Sequence, residues 1–353
     1  MKDEDVQEIE NDDELFEHHR VVADPGQGLI RLDKFLVDRL EKTSRTRIQT
    51  ACDSGFVRAN GLPVKSSYKV KPKDVITIEM PYPVREIELI PENIPIEVLY
   101  EDDDLLVLNK AAGMVVHPGH GNYSGTLVNA VMYHLKQQPI KAAREEARPG
   151  LVHRLDKLTT GVMVMAKTDH ALAHLSKQFF DRTINRRYVA LVWGDVERDG
   201  TIIGNTGRSI QDRKVFTVYP DGSAGKHAVT HYKVLERLGY VSLVECKLET
   251  GRTHQIRVHM KYIGHTLFGD PEYGGDKVLK GTTFNKYKQF VENCFKILPR
   301  QALHARLLEF DHPSNGQRMS FEMPLPSDIK EVMEKWKRYV GNPNFAHEDE
   351  GGQ

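Results

Sequence analysis

The chain's 353 residues allow two or three domains; 39% are apolar, no stretch nears the ~20 apolar residues of a membrane span, and Met1-Lys2-Asp3-Glu4-Asp5 reads as neither secretory signal nor transit peptide. The net charge of −1 hides a partition: residues 1–24 set ten acids against Lys2 and Arg20 (net −8), Glu348, Asp349 and Glu350 add −3 at the other end, and 25–340 carries +10, a basic body suited to a nucleic-acid partner. Cys52, Cys246 and Cys294 are scattered and form no C-x-x-C pair, which excludes a disulfide framework and predicts a reducing compartment, by default the cytoplasm.

Residues 1–28 read as an acidic disordered tail ending in the break Pro25-Gly26-Gln27-Gly28. Arg31 to Leu40 places Leu32, Phe35, Leu36 and Leu40 on one helical face. Ser44 is a plausible N-cap for a second helix carrying Ile48 and Ala51 inward. Arg45 and Arg47 fall in its first turn, where the macrodipole disfavours cations, so they point to an anionic partner such as phosphate. Gly55 to Gly61 is a strand running into an Asn-Gly hairpin turn, followed by Lys65, Lys69, Lys71 and Lys73 around a second strand and by Val75-Ile76-Thr77-Ile78. Helix, basic helix, hairpin and basic strand in this order resemble an S4 RNA-binding domain over 29–81. The resemblance implies that the helices and following turn contact RNA, with Arg45, Arg47, Lys65 and Lys69 as candidates.

Pro81, Pro83, Pro91 and Pro95 mark a stiff, extended linker over 82–95. A second domain, 96–340, opens with strands Ile96-Glu97-Val98-Leu99-Tyr100 and Leu105-Leu106-Val107-Leu108 around an Asp102-Asp103-Asp104 turn; 341–353 is a disordered tail. The three acids lack calcium-loop spacing, and His117 and His120 lack a second ligand pair, so no metal is expected. Thr126 to Leu135 is an amphipathic helix, and 136–148 a polar loop. Leu151 to Thr168 then sets His153-Arg154-Leu155-Asp156-Lys157 before Thr159-Thr160-Gly161 and the apolar run Val162 to Ala166, a buried strand entered through a tight glycine turn. A carboxylate between Arg154 and Lys157 at the mouth of a buried strand leans towards function, since burying an unpaired ion costs several kcal/mol.

Thr168 can cap a helix with Leu172, Leu175 and Phe179 on one face, and Tyr188 follows at a helix-to-strand junction beside Arg186 and Arg187. Several strands between Gly200 and Val244 precede a second polar block, Glu249 to His259, in which His254 and His259 are five apart and so off one helical zinc face. Gly269 to Gly275 is a loop, 300–310 returns to sheet, and Ser327 to Val340 is a closing helix with Ile329, Val332, Met333 and Trp336 inward. The fold class is α+β, a small S4-type domain followed by a large, mainly antiparallel mixed sheet.

Five ordered blocks carry a second resemblance: Asn109-Lys110 with Gly113-Met114-Val115-Val116-His117-Pro118; His153-Arg154-Leu155-Asp156 with Thr159 and Gly161; Arg187-Tyr188-Val189-Ala190; Gly251-Arg252-Thr253-His254-Gln255-Ile256-Arg257-Val258-His259; and Arg300-Gln301-Ala302-Leu303-His304-Ala305. With the S4 part, residues 29 to 340 are similar to the RluA/RluD-type pseudouridine synthases, and the arrangement is nearest the RluD type. Ala111 stands where that family usually has Pro, Thr160 where Ser is commoner, and Leu158 where an acid is frequent.

The resemblance implies an isomerase that detaches uracil from ribose and rejoins it through carbon, with no cofactor, no metal and no nucleotide cofactor. Asp156 is then the catalytic carboxylate, Arg257 its salt-bridge partner, and Tyr188 the group that stacks on the base and transfers a proton. Attack on the sugar carbon and assisted elimination to a glycal both stay open. Arg154 would fill the space left by the flipped uridine. Lys110, His153 and Arg252 are candidates for phosphate contacts or for support of the motif loop, and Ile256 and Leu303 for walls of the uracil pocket. The implied partner is large-subunit (23S) ribosomal RNA or a pre-ribosomal particle, with no membrane and a monomeric chain. The alternatives are a ribosome-assembly factor whose catalysis is dispensable, or the same chemistry on another rRNA or a tRNA. A hydrolase using Asp156 needs a second carboxylate, for which Glu249 is the candidate in a motif block.

Overall fold

The computed structural model describes residues 16–40, 43, 45–53, 55–80, 89–119, 122–136, 150–212 and 215–341, in two compact units divided between Glu88 and Leu89. Ser44, the Arg47 side chain, Pro81, Pro83, His120, the 137–148 loop and the 342–353 tail lie outside the described residues.

The first unit runs β1 (Phe16–Val22), β2 (Ile30–Arg31), α1 (Leu32–Val37), α2 (Arg45–Asp53), β3 (Val57–Ala59), β4 (Leu62–Pro63), β5 (Lys69–Val70) and β6 (Val75–Met80). Its sheet has the order β1-β6-β3-β4, with β2 and β5 paired separately. Leu32, Phe35 and Leu36 of α1 close with Ile48 of α2 over Val57 and Ile76, which accounts for the helical spacing. Asn60 (φ 51°) and Gly61 (φ 82°) both take the left-handed conformation that the two-residue turn from β3 to β4 requires.

Two expectations change here. The acidic tail does not extend to residue 28: β1 pairs with β6 from Phe16↔Met80 to Val22↔Val75, and Val21 and Ala23 pack on the core. Arg45 also has an anionic partner within the protein. Its Nη2 donates to Asp33 Oδ2 at 3.0 Å, and the same buried carboxylate accepts from Arg31 and from Gln49. The Arg31 bond, then those of Arg45 and Gln49, outweigh burial and hold the Asp33 carboxyl well below the usual range. The first-turn arginine thus ties α2 to α1, while Lys65, Lys69, Lys71 and Lys73 are exposed around β5.

The second unit runs β7 (Glu97–Glu101), β8 (Leu105–Lys110), α3 (Leu127–Lys136), β9 (Gly150–Leu151), β10 (Thr160–Ala166), α4 (Asp169–Asp181), β11 (Asn185–Trp193), β12 (Gly200–Arg208), β13 (Phe216–Tyr219), β14 (Lys226–Leu238), β15 (Val241–Leu248), α5 (Gln255–Tyr262), α6 (Asn285–Ile297), β16 (Leu303–Asp311), β17 (Arg318–Glu322) and α7 (Ser327–Val340). Among the described residues these strands form one sheet of the order β13-β12-β14-β15-β11-β16-β10-β8-β7, with β17 on β16 and β9 on β10. It is covered on both sides. Leu106, Leu108, Met163 and Met165 face α3 and α5, whereas Leu105, Val107, Val162 and Val164 face α4. That is why β8 and β10 read as unbroken apolar runs, each buried side chain contributing about 1.5–3 kcal/mol. Trp193, Phe268, Tyr287 and Trp336 build a further core beneath α6 and α7.

Residues 89–95, expected within the linker, belong to this unit. Asn129 Nδ2 donates to Ile90 O at 2.7 Å, Glu92 N to Asn129 O at 3.0 Å, and Gly125 N to the Glu92 carboxylate at 2.9 Å. Tyr188 is the fourth residue of β11 rather than a junction residue, because pairing with β16 begins at Asn185↔Glu309.

Among the described residues only β10 and β16 pair in parallel, at Thr160↔His304 and Gly161↔Ala305. Gly161 has φ 123°, and a Cβ there would lie 2.2 Å from Ala305 O. Gly161→Ala is therefore expected to cost ~3 kcal/mol or more, from steric overlap and backbone strain together. Urea denaturation of the full chain measures it.

Candidate active site

The loop from Asp156 to Thr160 is fastened by chain segments far away in sequence. Lys110 Nζ, at the end of β8, donates to Lys157 O (3.1 Å), Ala111 O (2.7 Å) and Met114 O (2.9 Å), and Gly113 N also donates to Lys157 O. From the approach to β16, Arg300 Nη1 donates to Leu158 O at 3.1 Å and Gln301 Nε2 to Thr159 Oγ1 at 3.3 Å; the Thr160 hydroxyl meets His304 Nδ1 at 2.9 Å. Arg300 is itself held by a two-pronged bond to Asp328.

Asp156 leaves this loop towards α5. Arg257 Nη1 donates to its Oδ2 at 3.3 Å, so the expected salt bridge is present. The arginine's shorter bonds go elsewhere: Nε and Nη2 to Asp270 at 2.7 and 2.8 Å, and Nη2 to Glu272 at 2.6 Å. Asp270 is wholly buried and also accepts from the backbone N–H of Glu272 and Tyr273. Burial opposes the guanidinium's charge, but Asp270, Asp156 and Glu272 more than offset it and drive its pKa upward. Tyr273 lies against the guanidinium, its ring centre 4.8 Å away, and its hydroxyl meets His254 Nδ1 at 2.9 Å; His254 Nε2 is 3.9 Å from Asp156 Oδ1.

Two cavities share residues 152–156, His254 and Arg257. The larger, about 1060 Å³, extends along 115–119, Asn122, Arg208 and Glu272. The smaller, about 290 Å³, is lined by Tyr188, Leu303, Ile256, Arg186 and Arg252 as well as Asp156. The structure thus brings Asp156, Tyr188, Arg257, Ile256 and Leu303 together around one cavity. Arg154 is exposed at the rim of both cavities and forms no side-chain hydrogen bond or ion pair among the described residues. Arg252 also lines the smaller cavity, its Nε donating to His227 O at 3.1 Å.

Lys110 and His153 both have their side chains engaged within the protein. Lys110 is 1% exposed, out of reach of a phosphate, and its three carbonyl acceptors match the three N–H bonds of an ammonium. Burial pulls its pKa down to about 7, with the charge of Asp156 opposing. His153 Nε2 accepts from the Val164 N–H at 3.1 Å, and its ring stacks on Phe179. Burial, then the nearby Arg186, pushes its pKa down to about 3, so it stays a neutral acceptor. Glu249 pairs with His231 at 2.7 Å; the carboxylates that share Arg257 with Asp156 are Asp270 and Glu272.

The sequence assigns no role to Asp270, Glu272, His254 or Gln255. Gln255 is buried and bonds Thr250, the Arg252 N–H, Val229 O and Thr230, fixing the turn into α5. It lay inside the polar block, and Asp270 inside a Gly-Asp-Pro-Glu loop, with no spacing that marks either as a partner of Arg257. Lys110→Met, which takes the ammonium donor from Ala111 O and Met114 O while Lys157 O keeps the Gly113 N–H, is expected to lower stability by about 3 kcal/mol in urea titration and to leave the salt dependence of RNA binding unchanged. A phosphate contact would instead make that dependence shallower.

Residues 30–76 match the S4 domain family and 104–262 the family described as RNA pseudouridylate synthase. The chain is 47% identical over 311 residues to a protein of Chlorobaculum parvum named as an uncharacterized RNA pseudouridine synthase, covering 88% of this chain and 94% of that one. It is 43% identical over 307 residues to ribosomal large subunit pseudouridine synthase D of Zymomonas mobilis, covering 85% and 92%. The solved structure of human RNA pseudouridylate synthase domain containing 4 shares the fold, with a TM-score of 0.51 at 24% identity over 68% of this chain and 93% of that one. With the S4 unit, the mainly antiparallel sheet and these relatives in agreement, the chain belongs to the RNA pseudouridine synthase family.

Proposed function

We propose that the enzyme isomerises specific uridines of 23S ribosomal RNA, free or in a pre-ribosomal particle, as a cytoplasmic monomer with Asp156 as the reacting carboxylate. The observation that carries this reading is the placement of Asp156 where a large cleft meets a base-sized cavity, held by an arginine whose stronger bonds lie elsewhere. The cleft accommodates the strand, and the smaller cavity takes the extruded uridine. There the C1′–N1 bond breaks, the base turns, and a C1′–C5 bond forms while C5 loses a proton and N1 gains one. Atoms balance without a donor or an oxidant.

Asp156 acts at the ribose, either by attack on C1′ or by assisting elimination to a glycal; each route needs a carboxylate beside the sugar. Arg257 steadies that carboxylate through a single 3.3 Å contact, leaving its other oxygen for chemistry. Tyr188 packs against the base and carries the proton; burial raises its phenol, with Arg186 opposing, so it enters the reaction protonated. Ile256 and Leu303 exclude water, and Arg154, whose side chain has no partner among the described residues, fills the gap in the RNA stack. The 23S target is supported by the S4 unit, whose exposed Lys65 and Lys69 would meet phosphates, and by the name of the Zymomonas mobilis relative.

Carbodiimide-adduct primer extension on RNA from a deletion strain, complemented with wild type or with Asp156→Ala, tests both parts. Particular 23S rRNA sites are expected to vanish in the mutant. A loss confined to tRNA moves the substrate, and no loss anywhere favours the assembly-factor reading. Asp270→Asn is expected to lower kcat on the order of 100-fold with little change in KM, since Asp270 aims Arg257 and is buried away from RNA. Tritium release from RNA labelled at uridine C5 gives both constants.

A further inference from the structure

Four arginines line the smaller cavity, and they differ in what neutralises them. Arg257 is saturated by three carboxylates, and Arg252 donates to a backbone carbonyl. Arg154 is exposed at the rim. Arg186 is only half-buried, yet its side chain has no hydrogen bond or ion pair among the described residues, and its Nε is buried without a partner.

Packing holds it instead. The guanidinium lies over the Phe179 ring, 5.2 Å from its centre, and Phe179 stacks in turn on His153 at 4.8 Å. On another side Gly251 comes so close that a Cβ there would be 3.1 Å from Arg186 Nη1. Strand alternation separates the consecutive arginines: Arg186 shares the cavity with Tyr188, whereas Arg187 turns away and is paired with Glu245 at 3.1 Å. One is a neutralised structural cation; the other is a cation oriented before any anion arrives.

The geometry points to Arg186 as the binding site for the phosphate group flanking the target uridine. This rests on the placement of that nucleotide at Asp156 proposed above. A nucleotide in an RNA chain carries one kind of anion, the phosphodiester, and a planar guanidinium is shaped to grip it with two N–H bonds. Stacking on Phe179 covers one face of the guanidinium and leaves its edge to make those bonds. Arg186 thereby sets how deep the ribose sits beside Asp156, a positioning role that neither Lys110 nor His153 can fill.

Full-length wild type, Arg186→Gln, Arg186→Lys and Arg187→Gln are compared by tritium release from transcripts of 23S rRNA, 16S rRNA and a tRNA pool, each labelled at uridine C5, over a series of KCl concentrations. The comparison uses whichever RNA the wild type modifies, so a wrong target shows in the wild type alone and leaves the test of Arg186 intact. Arg186→Gln is expected to raise KM about tenfold and to flatten the plot of log kcat/KM against the logarithm of KCl concentration by about 0.7, one phosphate contact on single-stranded RNA. Arg186→Lys keeps the wild-type slope, and Arg187→Gln matches wild type. An unchanged slope in Arg186→Gln overturns the assignment. So does a loss confined to kcat with a displaced pH profile, the signature of an arginine that only tunes Tyr188. Arg186→Met, which retains the stem against Phe179, is read the same way if the glutamine variant does not fold.

Discussion

The two-pronged bond between Arg257 and Asp270 is the contact on which the catalytic unit turns. A guanidinium 3% exposed cannot be left unpaired, and a carboxylate buried completely cannot either, so each justifies the other's desolvation, which costs several kcal/mol per ion. Because Asp270 takes the short bonds, Asp156 receives a weaker one. Gripped by both arms of the arginine, the Asp156 carboxylate would have both oxygens engaged; the single 3.3 Å contact to Oδ2 leaves Oδ1 outside the guanidinium's reach, as the proposed chemistry requires. Glu272 and the Tyr273 ring complete the setting, and His254 joins Tyr273 to the neighbourhood of Asp156.

The same division of labour runs through the other cations. Lys110 and Arg300 are spent on backbone carbonyls and on Asp328, where they fix the 156–160 loop, while Arg154 and Arg186 face the cavities with no internal acceptor among the described residues. A charge already satisfied shapes the protein, and the two left unsatisfied are those that the proposed function assigns to RNA. In the first unit Arg45 belongs partly to the former class through Asp33, while Lys65 and Lys69 are exposed.

Much of this was legible in the sequence. Helical spacing located α1, α3, α4 and α7, the Asn-Gly pair located a turn, and five ordered blocks located Asp156, Tyr188 and Arg257. What escaped depends on partners. Nothing in the order of residues tells that Lys110 points inward, that Arg45 meets Asp33 or that Asp270 lies under Arg257, because each pairing is made across the fold. β1 was hidden by the acids before it, since its place comes from pairing with β6 rather than from its own composition. The α6 helix was different: Tyr287, Phe290, Val291 and Cys294 recur at helical spacing, and three of them are buried, so its signal was present and passed over.

The parallel meeting of β10 and β16 also orders events in time. The Thr160–His304 bond spans 144 residues, and Arg300 and Gln301 reach the loop across 142. Closing so long a loop costs entropy before any contact rewards it, so this pairing forms late in folding. On the translating ribosome, the S4 unit and the residues of the Asp156 loop emerge well before the segment that sets that loop in place. The S4 unit, which has a hydrophobic core of its own, is thus complete in the growing chain before the segment that fixes the 156–160 loop has been made.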